Sequence, residues 1–204
     1  EGIDAVITRG IGQVNRALYD ACPNMKVAAR CGVGLDNVDV AEASKRGIKV
    51  INAPGSNAST VAEHTISLML TIQRNLFEAL SAVKNGQWAS RSSFKSDELH
   101  GKTLGILGLG NIGLKVANIA AAFGMKVIYW SPSNKEVPYL LVDKETLFRS
   151  ADIISLHLPL NEETKDIIDE EVFNKMNQGT ILINTARGAL VNRDALLSAL
   201  DTGK

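Results

Sequence analysis

Short, continuous apolar runs alternate along this chain with amphipathic stretches. Seven of the runs are expected to be strands: DAVIT, KVAAR, IKVINA, TLGILGL, KVIYW, DIISLHL and TILINTA. Continuous apolar runs are typical of strands that are buried on both faces, so mostly parallel sheets are expected. Helical patterns lie between the runs, over residues 12–21, 39–46, 60–85, 111–123, 143–150, 169–176 and 192–201. This alternation predicts an α/β, doubly wound architecture.

The longest helical pattern separates two strand–helix series. It runs from Thr60 to Gln87, and the polar segment ASRSSFKSDELHGK follows it. We therefore place a domain boundary near residues 90–101, which divides the chain into residues 1–90 and 91–204. The chain starts directly in a strand pattern and stops just after a helix, with Gly203 as the expected C-cap. Further strands are therefore expected outside these residues at both ends.

The amino-acid composition limits the kinds of partner that the protein is expected to bind. Lys and Arg total 22 against 22 for Asp and Glu, which gives no basis for binding nucleic acid or an anionic membrane surface. No apolar stretch approaches the roughly 18 residues of a membrane span, and no signal peptide precedes the first strand pattern. Cys22 and Cys31 form no disulfide framework. We expect a cytoplasmic protein with no metal site.

The segment TLGILGLGNIG carries glycines at positions 108, 110 and 113 in a G-x-G-x-x-G pattern. The pattern follows an apolar strand, opens a helix and precedes a second strand, which is the context of a dinucleotide site. Gly108 would permit the tight turn, Gly110 would let the backbone approach a pyrophosphate, and Gly113 would let helix and strand pack closely. The helix N-terminus would offer free N–H groups to the phosphates.

The position that normally reads the adenosine ribose holds an unusual residue. An acid is expected about 20 residues beyond the glycines, but Ser131 stands there, in VIYWSPSNK. Ser131 has no charge to repel a 2′-phosphate, and Lys135 adds a positive charge nearby. The cofactor is therefore expected to be NAD or NADP, with a slight lean to NADP. The alternative is that the segment is simply a turn whose small polar residues cap backbone groups.

An arginine follows the last predicted strand, in ILINTARGALVNRDAL. Ligands of open α/β sheets bind outside the C-terminal strand ends, and the planar fork of Arg187 suits a carboxylate. On this chemistry alone, a surface ion pair remains an alternative.

Five segments together resemble the D-isomer-specific 2-hydroxyacid dehydrogenases, and among them the enzymes that act on 3-phosphoglycerate. They are CGVGLDNVD, NASTVAEHT, GILGLGNIG, SLHLPLNEETKDII and ILINTARGALVNRDAL. The resemblance spans essentially the whole chain. It implies a partial, flavodoxin-like substrate domain with the connecting long helix at residues 1–90, and a truncated Rossmann-type domain at residues 91–204. It also implies a homodimer that is built largely by the nucleotide lobe and the long helix.

The resemblance also assigns site residues by position. Arg187 matches the arginine that grips the carboxylate and carbonyl of the substrate, and it is the expected catalytic residue. Cofactor contacts are implied at Thr60, Asn111, Ile112, Ser131, Leu158, Pro159 and Thr185, and substrate contacts at Val33, Gly34 and Asn57. Arg9 and Arg30 each end a strand pattern and match arginines that hold the substrate phosphate. Two ordinary ion-paired arginines are the alternative.

The proton carrier is the main departure from the family pattern. In the resembling enzymes a Glu and then a His follow the arginine turn, so both are expected beyond Lys204. The three histidines present, His64, His100 and His157, do not match that position. The 204 residues alone are therefore expected to be catalytically incomplete. A different class remains open, since corepressor-like proteins that sense dinucleotides share this fold and also keep an arginine turn.

Overall fold

The computed structural model describes residues 2–10, 12–95 and 97–203. The chain forms two compact units, Glu1–Asn57 and Ala58–Lys204. Each of the seven predicted runs contains one observed strand, and the fold is α/β with parallel sheets, as the sequence predicts. No helix among the described residues is long and apolar enough to cross a membrane. Both cysteines are free.

The first unit is a three-stranded parallel sheet in the order β1-β2-β3. Its strands are β1 (Ala5–Thr8), β2 (Val27–Arg30) and β3 (Lys49–Ile51), and its helices are α1 (Arg16–Ala21) and α2 (Val40–Lys45). The side chains of Asn15 and Asp39 cap the two helices by accepting from backbone N–H groups three residues on. The core lies on one face of the sheet and is built from Val14, Tyr19, Met25, Ala28, Ala43 and Ile48.

The second unit is a five-stranded parallel sheet in the order β6-β5-β4-β7-β8. Counted within the unit, this is the order 3-2-1-4-5 of a Rossmann sheet. The strands are β4 (Thr103–Leu107), β5 (Lys126–Trp130), β6 (Leu140–Leu141), β7 (Ile153–Leu156) and β8 (Ile181–Asn184). The helices are α3 (Ala58–Gln73), α4 (Leu76–Lys84), α5 (Asn111–Ala122), α6 (Lys144–Ser150), α7 (Glu170–Lys175) and α8 (Arg193–Asp201). The two-residue strand β6 was not predicted, because so short a run carries no period.

The predicted long helix over residues 60–85 is two helices, which corrects the sequence interpretation. Helix α3 ends at Gln73 and α4 begins at Leu76. Between them Asn75 adopts a left-handed conformation with φ of 51°. Asparagine tolerates this region better than most residues, so the hydrophobic pattern continues while the backbone turns.

The division between the units also differs from the predicted boundary. The compact units divide between Asn57 and Ala58 rather than near residue 90. Helix α3 packs its buried residues Ala62, Ile66 and Met69 into the same core as the strands of the second unit. Burial of this face fixes the helix to the Rossmann sheet, whereas the sequence pattern showed only that a helix was there.

Candidate functional site

Most of the predicted site residues of the second unit lie at one edge of its sheet. Strands β4, β5, β7 and β8 are parallel, so their C-terminal ends share this edge. The chain leaves β4 in one direction to β5 and returns on the other side to β7. Such a reversal opens a crevice at the strand ends, which is where doubly wound sheets bind ligands.

In the glycine turn between β4 and α5, only one of the three glycines has open space where a side chain would be. Gly108 has φ of +102°, and a Cβ there would lie 2.8 Å from the carbonyl oxygen of His157. A Cβ on Gly113 would collide with the carbonyl oxygen of Gly108. Gly110, in contrast, has φ of −84°, and a Cβ there would meet no atom within 4 Å. Two glycines therefore serve close packing, while the third faces open space that a ligand can fill.

The N-terminus of α5 opens onto that space. Gly110 is its N-cap and forms no side-chain cap bond, and the Leu114 N–H makes the first helical bond, 2.9 Å from the Gly110 oxygen. The amides of Asn111, Ile112 and Gly113 precede this bond and are available to an external acceptor. A 12-residue helix also places about half a positive charge at this end. These groups fit a dinucleotide pyrophosphate, as the sequence predicts.

The segment after β5 is a turn that a buried tyrosine fixes. Tyr129 is fully buried, and its hydroxyl donates to Asn134 Oδ1 at 3.0 Å and accepts from the Lys135 N–H at 3.1 Å. Ser131 is half-buried at the strand end, and Lys135 is exposed. The backbone of this segment is thus a turn, which is the alternative that the sequence left open. Sequence reasoning missed Tyr129, because its apolar strand context gave no sign that its hydroxyl reaches five residues forward.

The end of β7 holds a half-buried histidine. The ring nitrogen Nε2 of His157 lies 2.9 Å from Oγ of the fully buried Ser155, and the backbone N–H of His157 donates to the Leu107 carbonyl oxygen at 2.9 Å. Burial lowers the pKa of His157 from 6.5 to about 4, so the ring is neutral at pH 7. Leu158 is buried beside Gly108, and the Pro159 oxygen accepts from Thr164 Oγ1 at 2.7 Å.

The arginine turn after β8 is held by the side chain of Asn184. The Asn184 Oδ1 accepts from the Ala186 N–H at 3.0 Å, and its Nδ2 donates to the Arg187 oxygen at 2.8 Å. The exposed Arg187 donates from Nη1 to the Ala186 oxygen at 2.8 Å. Sequence reasoning did not identify Asn184, whose role depends on the path of the turn.

A cavity of about 460 Å³ brings Arg187 together with helix α3. Its walls are Thr60, Val61, His64 and Leu68 from α3, and residues 184–188 from the turn. Thr60 and Thr185, which the sequence assigns to the cofactor, therefore line one cavity with Arg187. His64, which the sequence did not single out as a site residue, lies in the same wall. A guanidinium, two hydroxyls and an imidazole make this cavity suitable for a small polar anion.

In the first unit, Arg30 is half-buried, and two of its guanidinium nitrogens have no partner among the described residues. Its Nε and Nη1 atoms, and Oγ1 of Thr8, are buried and have no hydrogen-bond partner within the described part of the chain. Thr8 and Arg30 are paired residues of adjacent strands, so their side chains share one face of the sheet. No ion pair involves Arg30 or the exposed Arg9 among residues 2–10, 12–95 and 97–203. Among the described residues neither arginine is therefore seen in an ion pair, and Thr8, which the sequence did not suggest, lies beside Arg30 with its own hydroxyl unpartnered.

The other predicted substrate residues of the first unit lie near its strand ends. Val33 and Gly34 belong to the loop that follows β2, and both are half-buried. Asn52 Nδ2 donates to the Val33 oxygen at 2.7 Å and fixes this loop. Asn57 is exposed at the end of the unit.

Comparison with known proteins gives a consistent result. Residues 66–204 match the family described as "D-isomer specific 2-hydroxyacid dehydrogenase, NAD binding domain". The chain is 44% identical over 204 residues to a hydroxypyruvate reductase of Thermotoga maritima, covering 99% of this chain and 66% of that protein. It is 40% identical over 206 residues to a D-3-phosphoglycerate dehydrogenase of Archaeoglobus fulgidus, covering 98% of this chain and 39% of that protein.

A solved structure is similar in fold as well as sequence. It is D-lactate dehydrogenase from Aquifex aeolicus complexed with NAD and lactic acid, with a TM-score of 0.93 and 34% identity. The match covers 98% of this chain and 62% of that one. The chain thus spans between two fifths and two thirds of the length of these three relatives.

Stability should fall in mild acid because of His157. The unfolded chain binds a proton on this residue below pH 6.5, whereas the folded chain does so only near pH 4. The free energy of unfolding should therefore decrease as pH falls from 6.5 towards 4, by at most about 3 kcal/mol. Urea unfolding at several pH values measures this slope. His157→Gln, which can still reach Ser155, should make the free energy of unfolding less dependent on pH. The exposed His100→Gln is the control. An unchanged pH dependence in His157→Gln would contradict the lowered pKa of His157.

Proposed function

This chain belongs to the D-isomer specific 2-hydroxyacid dehydrogenase family, and on that premise we propose that the full-length protein transfers a hydride between NAD(H) and a D-2-hydroxy acid. The observation that carries the proposal is the shared sheet edge of the second unit. There the open space beside Gly110 and the α5 amides lie on the same edge as the cavity that contains Arg187.

The nucleotide, when bound, accepts or supplies the hydride, and the residues of this chain bind and orient the nucleotide and the substrate. The amides of Asn111 and Ile112 would hold its pyrophosphate, with Leu158 and Pro159 lining the pocket beside Gly108. Arg187 would hold the substrate carboxylate and carbonyl through its two parallel donors. Thr60 and Thr185 would complete the cavity around the reacting groups. We assign the proton transfer to none of the three histidines, and the lowered pKa of His157 in particular keeps its ring neutral at pH 7.

For the substrate we propose 3-phosphoglycerate or a closely related small 2-hydroxy or 2-keto acid. Two of the relatives act, by name, on hydroxypyruvate and on D-3-phosphoglycerate. The unpartnered Nε and Nη1 atoms of Arg30 support a phosphorylated substrate, because buried guanidinium N–H groups without acceptors favour binding a dianion. Arg9 would add charge from the end of β1, and the loop at Val33 and Gly34, with Asn57, would contribute further contacts.

For the nucleotide we propose NAD(H). The family domain that matches residues 66–204 is described as NAD binding, and the D-lactate dehydrogenase structure contains NAD. The expected lean to NADP gains no support from these relatives. It rests only on Ser131 and Lys135, and the Tyr129 bonds account for the backbone of that turn without any phosphate.

We further propose a homodimer that forms through α4. This helix exposes Phe77 by 74%, Leu80 by 69% and Val83 by 58%, and Trp88 beyond it is 64% exposed. Residues 77, 80 and 83 recur every three positions and form one apolar stripe. An exposed stripe of this kind is typical of an interface. Sedimentation of the full-length protein measures the association, and a monomer at micromolar concentration would contradict it.

Arg187→Lys should lower kcat/KM of the full-length protein at least tenfold, because lysine keeps the charge but loses the fork. NADH affinity should stay within about twofold. The assay is NADH oxidation with hydroxypyruvate and NAD reduction with 3-phosphoglycerate, alongside NADH titration by fluorescence. Lys165→Arg, a charge-preserving change elsewhere on the unit, is the control. Loss of NADH binding without loss of turnover would show that Arg187 has another role, and wild-type protein without turnover would favour a nucleotide sensor.

Arg30→Ala should weaken 3-phosphoglycerate binding at least tenfold more than binding of unphosphorylated D-glycerate. Charge-assisted hydrogen bonds are worth about 1.5–3 kcal/mol, and only the phosphorylated ligand would lose them. Competition against turnover measures both constants. Arg16→Ala, which removes an arginine that is 77% exposed in its ion pair with Asp20, is the matched control. Equal weakening of both ligands would assign Arg30 a structural role.

Ser131→Asp should shift the preference between nucleotides toward NAD by about 1–3 kcal/mol, since the new charge bonds the ribose hydroxyls and repels a 2′-phosphate. Titration of NADH and NADPH against both proteins gives the ratio. Ser133→Asp places the same charge on the exposed side of the turn and should shift the ratio less. A ratio that does not move in Ser131→Asp would mean that position 131 does not reach the ribose.

A further inference from the structure

A fully buried hydroxyl on helix α3 reaches the arginine turn. Thr65 and Ser155 are each fully buried. Thr65 lies on α3, one turn away from the cavity residues Val61 and Leu68. Its Oγ1 lies 2.9 Å from Oγ1 of Thr185, a residue 120 positions away that follows β8. A polar group that is buried this completely is costly unless it is hydrogen-bonded, so its partners define what it does.

The number of protons fixes the direction of these bonds. Thr65 Oγ1 also lies 2.8 Å from the Val61 carbonyl oxygen, which can only accept. The single hydroxyl proton of Thr65 is used in that bond. The proton between the two threonines must therefore come from Thr185. With its own proton committed to Thr65, the Thr185 hydroxyl offers only lone pairs to the cavity that it lines.

We propose that Thr65 is a positioning residue, which holds the Thr185 hydroxyl as a hydrogen-bond acceptor towards the cavity of Arg187, so that Thr185 selects an N–H or O–H of the bound ligand. The inference deepens the proposed function and rests on it. It gives the cavity two ends of opposite chemistry. The guanidinium of Arg187 only donates and takes ligand oxygens, whereas Thr185 only accepts.

Two groups of the proposed ligands have the required donor. One is the carboxamide N–H of the nicotinamide nucleotide, and the other is the hydroxyl of the 2-hydroxy acid. A carboxylate oxygen at Thr185 would meet lone pairs and is disfavoured. Thr65 would thereby help to keep the substrate carboxylate at the arginine, although Thr65 itself touches no ligand.

The test uses full-length protein with Thr65 replaced by valine, which has the same shape but no hydroxyl, and by serine, which keeps the hydroxyl. Thr71→Val is the matched control. Thr71 lies on the same helix and donates to the Ser67 oxygen at 2.7 Å in the same i−4 bond, without a second partner among the described bonds. NADH affinity is measured by fluorescence titration, and 3-phosphoglycerate affinity is measured in the presence of NAD. Urea unfolding shows that each variant is folded.

Thr65→Val should weaken one ligand about fivefold to tenfold, the effect of one neutral hydrogen bond. A loss in NADH affinity assigns the donor to the carboxamide, and a loss in 3-phosphoglycerate affinity assigns it to the hydroxyl. Thr65→Ser and Thr71→Val should each stay within twofold of wild type. The double variant Thr65→Val with Thr185→Val should bind no more weakly than Thr185→Val alone, because both changes remove the same interaction.

Three results would overturn the proposal. They are a Thr65→Val effect no larger than that of Thr71→Val, equal losses in the serine and valine variants, and additive losses in the double variant. If the wild-type protein binds NADH but shows no turnover, the proposed function fails. The NADH titration of the Thr65 variants then still decides the role of Thr65.

Discussion

The close approach of Gly108 and Gly113 is the constraint on which the second unit depends. A side chain on Gly113 would strike the Gly108 carbonyl, and one on Gly108 would strike the end of β7. Removing both Cβ atoms lets the first turn of α5 lie directly against the ends of two neighbouring strands. This contact directs the helix N-terminus to the reversal point of the sheet, and the cavity at β8 lies on the same edge. The position of the helix N-terminus therefore depends on glycine at these two positions.

The sequence predicts the elements that carry a strong period and the positions that carry a motif. Continuous apolar runs predicted all seven longer strands, and the glycine motif predicted the turn at α5. What the sequence did not predict depends on tertiary contacts. Nothing in a helical pattern shows that Asn75 will turn left-handed, or that α3 will belong to the core of the second unit rather than to the first. Likewise, the sequence pattern identified Tyr129 only as a strand residue, although its hydroxyl forms the hydrogen bonds that hold the following turn.

The loops of the candidate site are held in place mainly by side chains to which the proposed function gives no ligand contact. Asn184 fixes the arginine turn through its two amide bonds, Tyr129 fixes the turn at Ser131, and Ser155 holds His157 at the end of β7. Each of these residues comes from a strand of the sheet and reaches only a few positions along the chain. Short local bonds from a rigid scaffold keep the loops close to one conformation, which lowers the entropy lost when a ligand binds. Sequence motifs identify the residues that are proposed to meet the ligand, but they miss the residues that hold those loops in place.

Arg30 has a consequence for how the first unit can evolve. Its buried Nε and Nη1 atoms lose hydration on folding and gain no acceptor from the described residues, at a cost to the folded state of about 1–3 kcal/mol for each group. An apolar residue of similar length at this position would relieve that cost and give a more stable unit. Under the proposed function, an arginine at this position therefore trades stability for recognition. The phosphate contact of Arg30 that this function proposes offsets the cost, whereas selection for stability alone would favour replacing the residue.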